Sequence, residues 1–200
     1  WFVPIQAHGV EVMSMAFLTD DNTPMVWRGP MVSGALMQLV MQTDWGNLDY
    51  LVIDMPPGTG DIQLTLAQKV PVAGSVIVTT PQDVALLDAR KGLKMFEKVN
   101  VPILGIVENM STHICSNCGH EEHIFGTGGG ARMATDYNVD VLGSLPLTLQ
   151  IREETDSGTS AGVSSELDFC RMFARKLTMC RSVGKSFRDR LPVAEMSKYS

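Results

Sequence analysis

The sequence predicts an α/β protein with a doubly wound, mostly parallel sheet and helices on both faces. Three observations predict it. Short apolar runs rich in Val and Ile alternate along the chain with segments of helical periodicity. The central runs, LVID, SVIVTT and ILGIV, are apolar at successive positions, as strands covered on both faces are. The alternation of strand and helix is regular, and right-handed crossovers between parallel strands put helices over both sides of a sheet.

Taken in order, residues 11–18 form the first strand candidate. Residues 30–41 form a helix, because Pro30 suits a first turn and Met31, Ala35, Leu36, Leu39 and Val40 share one side. Residues 50–54 form a strand that ends on the carboxylate of Asp54. The turn after it, Met55-Pro-Pro-Gly-Thr-Gly-Asp61, is too rich in Gly and Pro to continue it. A helix over 61–69 and a strand over 75–79 follow. Residues 83–98 form a helix with Asp83 as its cap and Ala85, Leu86, Ala89, Leu93 and Phe96 as its apolar stripe. After a strand at 103–108 comes a connection at 111–130, long for a segment without structure of its own and rich in Cys, His and Gly. A helix at 131–137, a strand at 141–144 and a helix at 166–180 complete the series.

The 200 residues suffice for one domain that buries about 70% of its extended surface. With 44% apolar and 19% charged residues, the composition is that of an ordinary globular protein. A net charge of −6 argues against broad nucleic-acid binding, which rests on Lys and Arg neutralising phosphates. No run approaches the roughly 20 apolar residues of a membrane span, and no secretory signal opens the chain. Its first residue is Trp1, so its start is expected to be processed or cut.

Two places carry chemistry. An acidic strand end such as Asp54 can hold Mg²⁺, and the N–H groups of the turn behind it can approach a γ-phosphate, with Gly58 free of a Cβ that would obstruct. The same pattern also describes a strand that merely stops at a polar turn. The second place is Cys115-Ser-Asn-Cys118. Its close spacing marks a metal or redox site rather than a disulfide framework. Three uses compete: a zinc knuckle completed by His120 and His123, a dithiol–disulfide pair, and half of a cluster site completed by a second subunit. Spacing alone leans towards zinc. Cys170 and Cys180, in the last helix pattern, read as small buried apolar groups.

The words DYLVIDMPPGTGD, WRGPM at 27–31, TTPQDVALLDARKG at 79–92 and VENMS at 107–111 together resemble the Mrp/ApbC family, P-loop ATPases related to MinD. The resemblance runs from about residue 9 to residue 158. It implies that Asp54 is the Walker B aspartate, Gly58 the switch II glycine, Asn109 the asparagine that recognises adenine, and Pro146 part of the loop beside the base. A carboxamide offers the donor and acceptor that an adenine edge needs, although Asn109 also suits a strand-end turn. It implies further that Cys115 and Cys118 hold half of a 4Fe–4S cluster bridging a homodimer. ATP and Mg²⁺ belong to the complete protein, apo iron–sulfur proteins and a cluster-assembly scaffold are the partners, and the location is cytoplasmic. Residues 1–182 then form the C-terminal part of a P-loop NTPase-type domain, and 183–200 form a tail with little pattern.

One part of the family pattern is missing. The phosphate-binding loop, GKGGVGKS in the family, occurs nowhere in the 200 residues. Val183-Gly-Lys-Ser186 lacks the first glycine, and Gly126-Thr-Gly-Gly-Gly130 lacks the lysine. The expectation is negligible ATP hydrolysis by this chain alone. Arg28 lies in a family-like word without a physical role of its own. The last helix is basic and amphipathic, which suits either an anionic membrane or docking on the sheet. Docking is expected, with no stable membrane association. The alternatives to a cluster carrier are a MinD/ParA-like spatial organiser and a zinc-stabilised interaction module without turnover.

Overall fold

A computed structural model of the chain describes residues 1–18, 29–55 and 60–158. The described residues fall into two compact units, one ending at Pro71 and the other starting at Val72.

The first unit opens with an antiparallel ribbon, β1 (Ile5–Ala7) and β2 (Val10–Val12), pairing Ile5 with Val12 and Ala7 with Val10. His8 and Gly9 both have positive φ, 49° and 78°, as the two central residues of a type I′ hairpin must. The strand expected over 11–18 is therefore shorter and antiparallel, and Met15–Leu18 form a 3-10 turn. Helices α1 (Gly29–Met41) and α2 (Asp61–Lys69) pack together around Leu39, Val40, Leu66, Ala67 and Val70. Two side chains close the end of α1: Thr43 Oγ1 donates to Leu39 O at 2.5 Å and Trp45 Nε1 to Val40 O at 3.0 Å. Met31, expected on the buried side of this helix, is 56% exposed. Residues 50–54 belong to no strand among the described residues. An apolar run becomes a strand only where a neighbour takes its N–H and C=O groups.

The second unit contains a three-stranded parallel sheet in the order β3 (Ser75–Thr79), β4 (Ile103–Glu108), β7 (Val141–Ser144). All three match the expected strands residue for residue. Helix α3 (Asp83–Lys98) also matches, and it packs with α4 (Gly129–Tyr137) against the sheet and against one another. Ile77, Leu86, Leu93, Ile106, Met133 and Ala134 form the core between them, with Ala89 and Phe96 at its margin. Gly105 has φ +152°, and a Cβ there would lie 2.6 Å from Asp140 O, so β4 needs a glycine to run this close to β7. This is the expected α/β architecture, a parallel sheet flanked by helices.

Three features of this unit go beyond the sequence pattern. Helix α4 starts two residues before the expected 131, because Gly128 at φ +62° turns the chain and Gly129 and Gly130 are buried helical residues. Residues 111–130 are not structureless: β5 (His113–Ile114) and β6 (Glu121–Glu122) pair antiparallel. Helix α5 (Leu149–Asp156) lacks a clear apolar stripe and is started instead by Thr148, whose Oγ1 accepts from Ile151 N at 3.3 Å. The expected helix at 166–180, the tail, Arg28 and Gly58 lie outside the described residues.

Candidate metal centre

The site grows out of the carboxyl end of β4, where ligands of open parallel sheets bind. Beyond Glu108 the chain turns at Asn109 and Met110, the latter at φ 55°. Asn109 N donates to Thr79 O at 2.7 Å, and Met110 N donates to the Asn109 side-chain oxygen at 2.9 Å. The turn thus occupies the carboxamide's acceptor on one side, while the NH₂ group remains a donor.

The next residues are zipped to the segment that leaves β7. Leu145 N donates to Glu108 O (2.8 Å), Ser111 N and Oγ both donate to Leu145 O (3.0 and 3.1 Å), and Leu147 N donates to Thr112 O (2.7 Å). His113 Nδ1 donates to Leu147 O at 3.1 Å. Pro146, half-buried, sits in the middle of this zipper. Asn109, Pro146 and the stem of the cysteine loop are therefore held together by local hydrogen bonds.

The loop's far end is fixed by a residue that the sequence argument passed over. Glu108 is 6% exposed, and its Oε2 accepts from Gly130 N at 2.5 Å. A carboxylate at the first turn of α4 is favoured by the helix's N–H groups. Gly130 permits the approach, since a Cβ there would lie 3.1 Å from Glu108 Cβ and Oε2. The available signal was a single charge closing the apolar run ILGIVE, a pattern that polar strand ends also produce.

At the tip, Cys115 N donates to His120 O and Gly119 N to Cys115 O, each at 2.9 Å. Gly119, at φ +71°, folds the segment back on itself. Cys115 is half-buried, Cys118 is exposed, and both are free. The backbone N–H groups of Asn117 and Cys118 and the Cys118 side chain pull the Cys115 thiol below its ordinary value, against slight burial and the charge of Glu122. A turn whose amides converge on a sulfur stabilises thiolate, the form that binds metal.

The histidines do not join the cysteines. His120 Nε2 stands 3.9 Å from Glu122 Oε1 in an exposed pair, and His123 Nδ1 donates to Ser111 O at 3.1 Å, back at the stem. Among the described residues, no group of three or more His, Cys, Asp and Glu is placed to hold a metal ion. The donor set at the tip is two sulfurs, half of what a tetrahedral zinc site or a cubane cluster takes. Asp54 is exposed and belongs to the first unit, whereas Asn109 and Pro146 belong to the second.

Over residues 1–178 the sequence matches the ParA family described as NUBPL iron-transfer P-loop NTPase. It is 77% identical over 164 residues to the iron–sulfur cluster carrier protein of Pseudomonas fragi, covering 82% of this chain and 57% of that protein. Against the iron–sulfur cluster carrier protein of Escherichia coli K12 the identity is 62% over 161 residues, 80% of this chain and 44% of that protein. Against the iron–sulfur cluster transfer protein NUBPL of Mus musculus it is 55% over 155 residues, 78% and 49% of the two chains. The chain thus spans about half the length of the curated relatives it matches. A nucleotide-binding protein from Archaeoglobus fulgidus, solved in complex with ADP, superposes with a TM-score of 0.58 at 28% identity, covering 95% of this chain and 66% of that one.

Proposed function

The chain belongs to the family of NUBPL iron-transfer P-loop NTPases, and from that premise we propose that it carries an iron–sulfur cluster as cargo and passes it to apo-proteins. The observation that carries the proposal is the tip of the 111–130 loop: two sulfurs on a preformed turn, with amides directed at Cys115 and no third ligand alongside among the described residues. Two thiolates cannot complete the coordination of a 4Fe–4S cluster, and a two-fold pair of loops supplies four. The cargo is therefore held by Cys115 and Cys118 of two copies. Exposure of Cys118 leaves the cargo accessible to an incoming thiol of a recipient, as ligand exchange requires.

The nucleotide enters the proposal as a conformational switch in the complete protein. Asp54 would hold Mg²⁺ through its waters and Gly58 would approach the γ-phosphate. The donor left on Asn109, together with Pro146, would receive the base. Support for the last point is the zipper joining the Pro146 segment to the stem of the cysteine loop, which gives base and cargo a shared mechanical element. We assign residues 1–182 to one P-loop NTPase-type domain, with a cluster-assembly scaffold as donor and a cytoplasmic location. No helix among the described residues is long and apolar enough to cross a membrane.

Anaerobic incubation with iron, sulfide and thiol tests the carrier function. About two irons per chain and visible charge-transfer absorption are expected, both lost in Cys115→Ser. Transfer to an apo iron–sulfur enzyme should then restore that enzyme's activity. Uptake of one zinc per chain with no iron–sulfur chromophore would overturn the proposal.

A further inference from the structure

Helix α3 has a second face that the core does not use. Leu86, Leu93 and Met95 are buried, whereas Val84 and Leu87 are 76% and 56% exposed. Lys91, Lys94 and Lys98 continue the row of Val84 and Leu87 at helical spacing, and all three are exposed. Charge along this face is unevenly spread: Asp83 and Asp88 lie in the first half of the helix and the three lysines in the second, where the exposed Glu97 flanks their row.

Such a face is complementary to itself when a second copy runs antiparallel, which is what a two-fold axis produces. Asp83 and Lys91 each lie four residues from Leu87. An axis through Leu87 therefore sets Leu87 against the partner's Leu87 and Asp83 against the partner's Lys91, twice. Lys91 Nζ now contacts Asp88 Oδ1 of its own helix at 2.8 Å, but these side chains are 65% and 76% exposed, so exchanging partners costs little.

The position of this face gives the pairing a consequence. The first turn of α3 adjoins the end of the cysteine loop. A Cβ on Gly129 would lie 2.5 Å from Pro81 O. Arg132 donates from Nη1 to Thr127 O at 2.7 Å and reaches with Nη2 to 3.9 Å from Asp83 Oδ1. We propose that the exposed face of α3, centred on Leu87, is a contact between two copies of this chain that brings their cysteine loops to one side. The inference rests on the carrier function above, in which two copies share one cargo. One helix face buries far less than the roughly 1,200 Å² of a stable interface. The contact is thus weak in the empty protein and is locked by the shared cluster, which binds the dimer alone.

Sedimentation of the full chain under anaerobic conditions, empty and loaded, tests this. The wild type should be largely monomeric when empty and dimeric when loaded. Asp83→Lys and Lys91→Glu should each weaken the loaded dimer by about tenfold, and the double variant should return to within about threefold of wild type. Leu87→Lys, which sets two like charges on the axis, should weaken it at least as much. Thermal melting of the monomers separates these effects from misfolding, and if Leu87→Lys does not fold, the exposed swaps still decide. A loaded wild-type dimer indifferent to all four variants, or a double variant no better than the singles, overturns the α3 contact while the carrier function stands. A cluster held by a monomer, or no cluster uptake by the wild type, overturns both.

Discussion

At the scale of single residues, Cys115 and Cys118 share a motif but not an environment. The amides of Asn117 and Cys118 and the Cys118 side chain favour the Cys115 thiolate. Cys115 should therefore stay reactive at lower pH than an ordinary thiol. In the metal-free chain, alkylation by iodoacetamide followed by peptide mass spectrometry should place the Cys115 rate midpoint below that of a Cys in a peptide; equal midpoints would contradict the geometry. The linkage has a definite sign. The folded value is lowered, so this ionisation favours the fold above the unfolded thiol's value, and the gain is lost as pH falls through the folded value. Spacing announced the C-x-x-C pair but could not say which thiol the turn activates. That depends on the left-handed Gly119 and on where the amides point. Nor could spacing exclude His120 and His123 as ligands. In the folded hairpin His120 lies beside Glu122, His123 Nδ1 donates to the Ser111 carbonyl, and among the described residues neither ring is grouped with the two sulfurs.

At the scale of elements, the stem of the cysteine loop is held at both ends, and Glu108 is the pin of the second. Glu108→Ala strands the buried Gly130 N–H, which should cost about 1–3 kcal/mol. Glu108→Gln keeps an acceptor oxygen in place and should cost clearly less. Denaturant melts of the two variants decide the matter, and hydrogen exchange in residues 111–130 should rise only in the alanine variant; equal losses would mean that the carboxylate serves by charge rather than as an acceptor. The elements that sequence predicts to the residue, β3, β4, β7, α2 and α3, are those with sustained periodicity and a partner to pack on. The failures have local causes. The strands β5 and β6 have two residues each, too short to alternate. Helix α4 hides its start in a glycine run that reads as loop until Pro81 and Glu108 close on it. Helix α5 announces itself only through its Thr148 cap. Residues 50–54 have strand composition, but an edge to pair with is not a property of the segment.

At the scale of the whole molecule, the residues with proposed roles are distributed unevenly. Asn109, Pro146, Cys115 and Cys118 all belong to the unit that begins at Val72, and Asp54 belongs to the other. The proposed cargo ligands, Cys115 and Cys118, come from the first set only, and two thiolates on one loop need no phosphate loop. Phosphoryl chemistry is more demanding. A lysine and a row of loop amides must surround the β- and γ-phosphates before Mg²⁺ and an acidic strand end can act, and the 200 residues hold no segment of that composition. The two activities should therefore separate in this chain. Purified under anaerobic conditions, it should take up iron and sulfide to the same extent with and without Mg²⁺–ATP, while releasing phosphate no faster than the buffer. A malachite-green assay over hours, read beside the iron content of the same sample, checks both halves. Robust hydrolysis that disappears in Asp54→Ala would show that some other segment cradles the phosphates. Nucleotide-dependent loading would show that Asn109 and Pro146 respond to the base without that cradle, and the switch would then lie in the zipper between Ser111 and Leu147 rather than at the γ-phosphate.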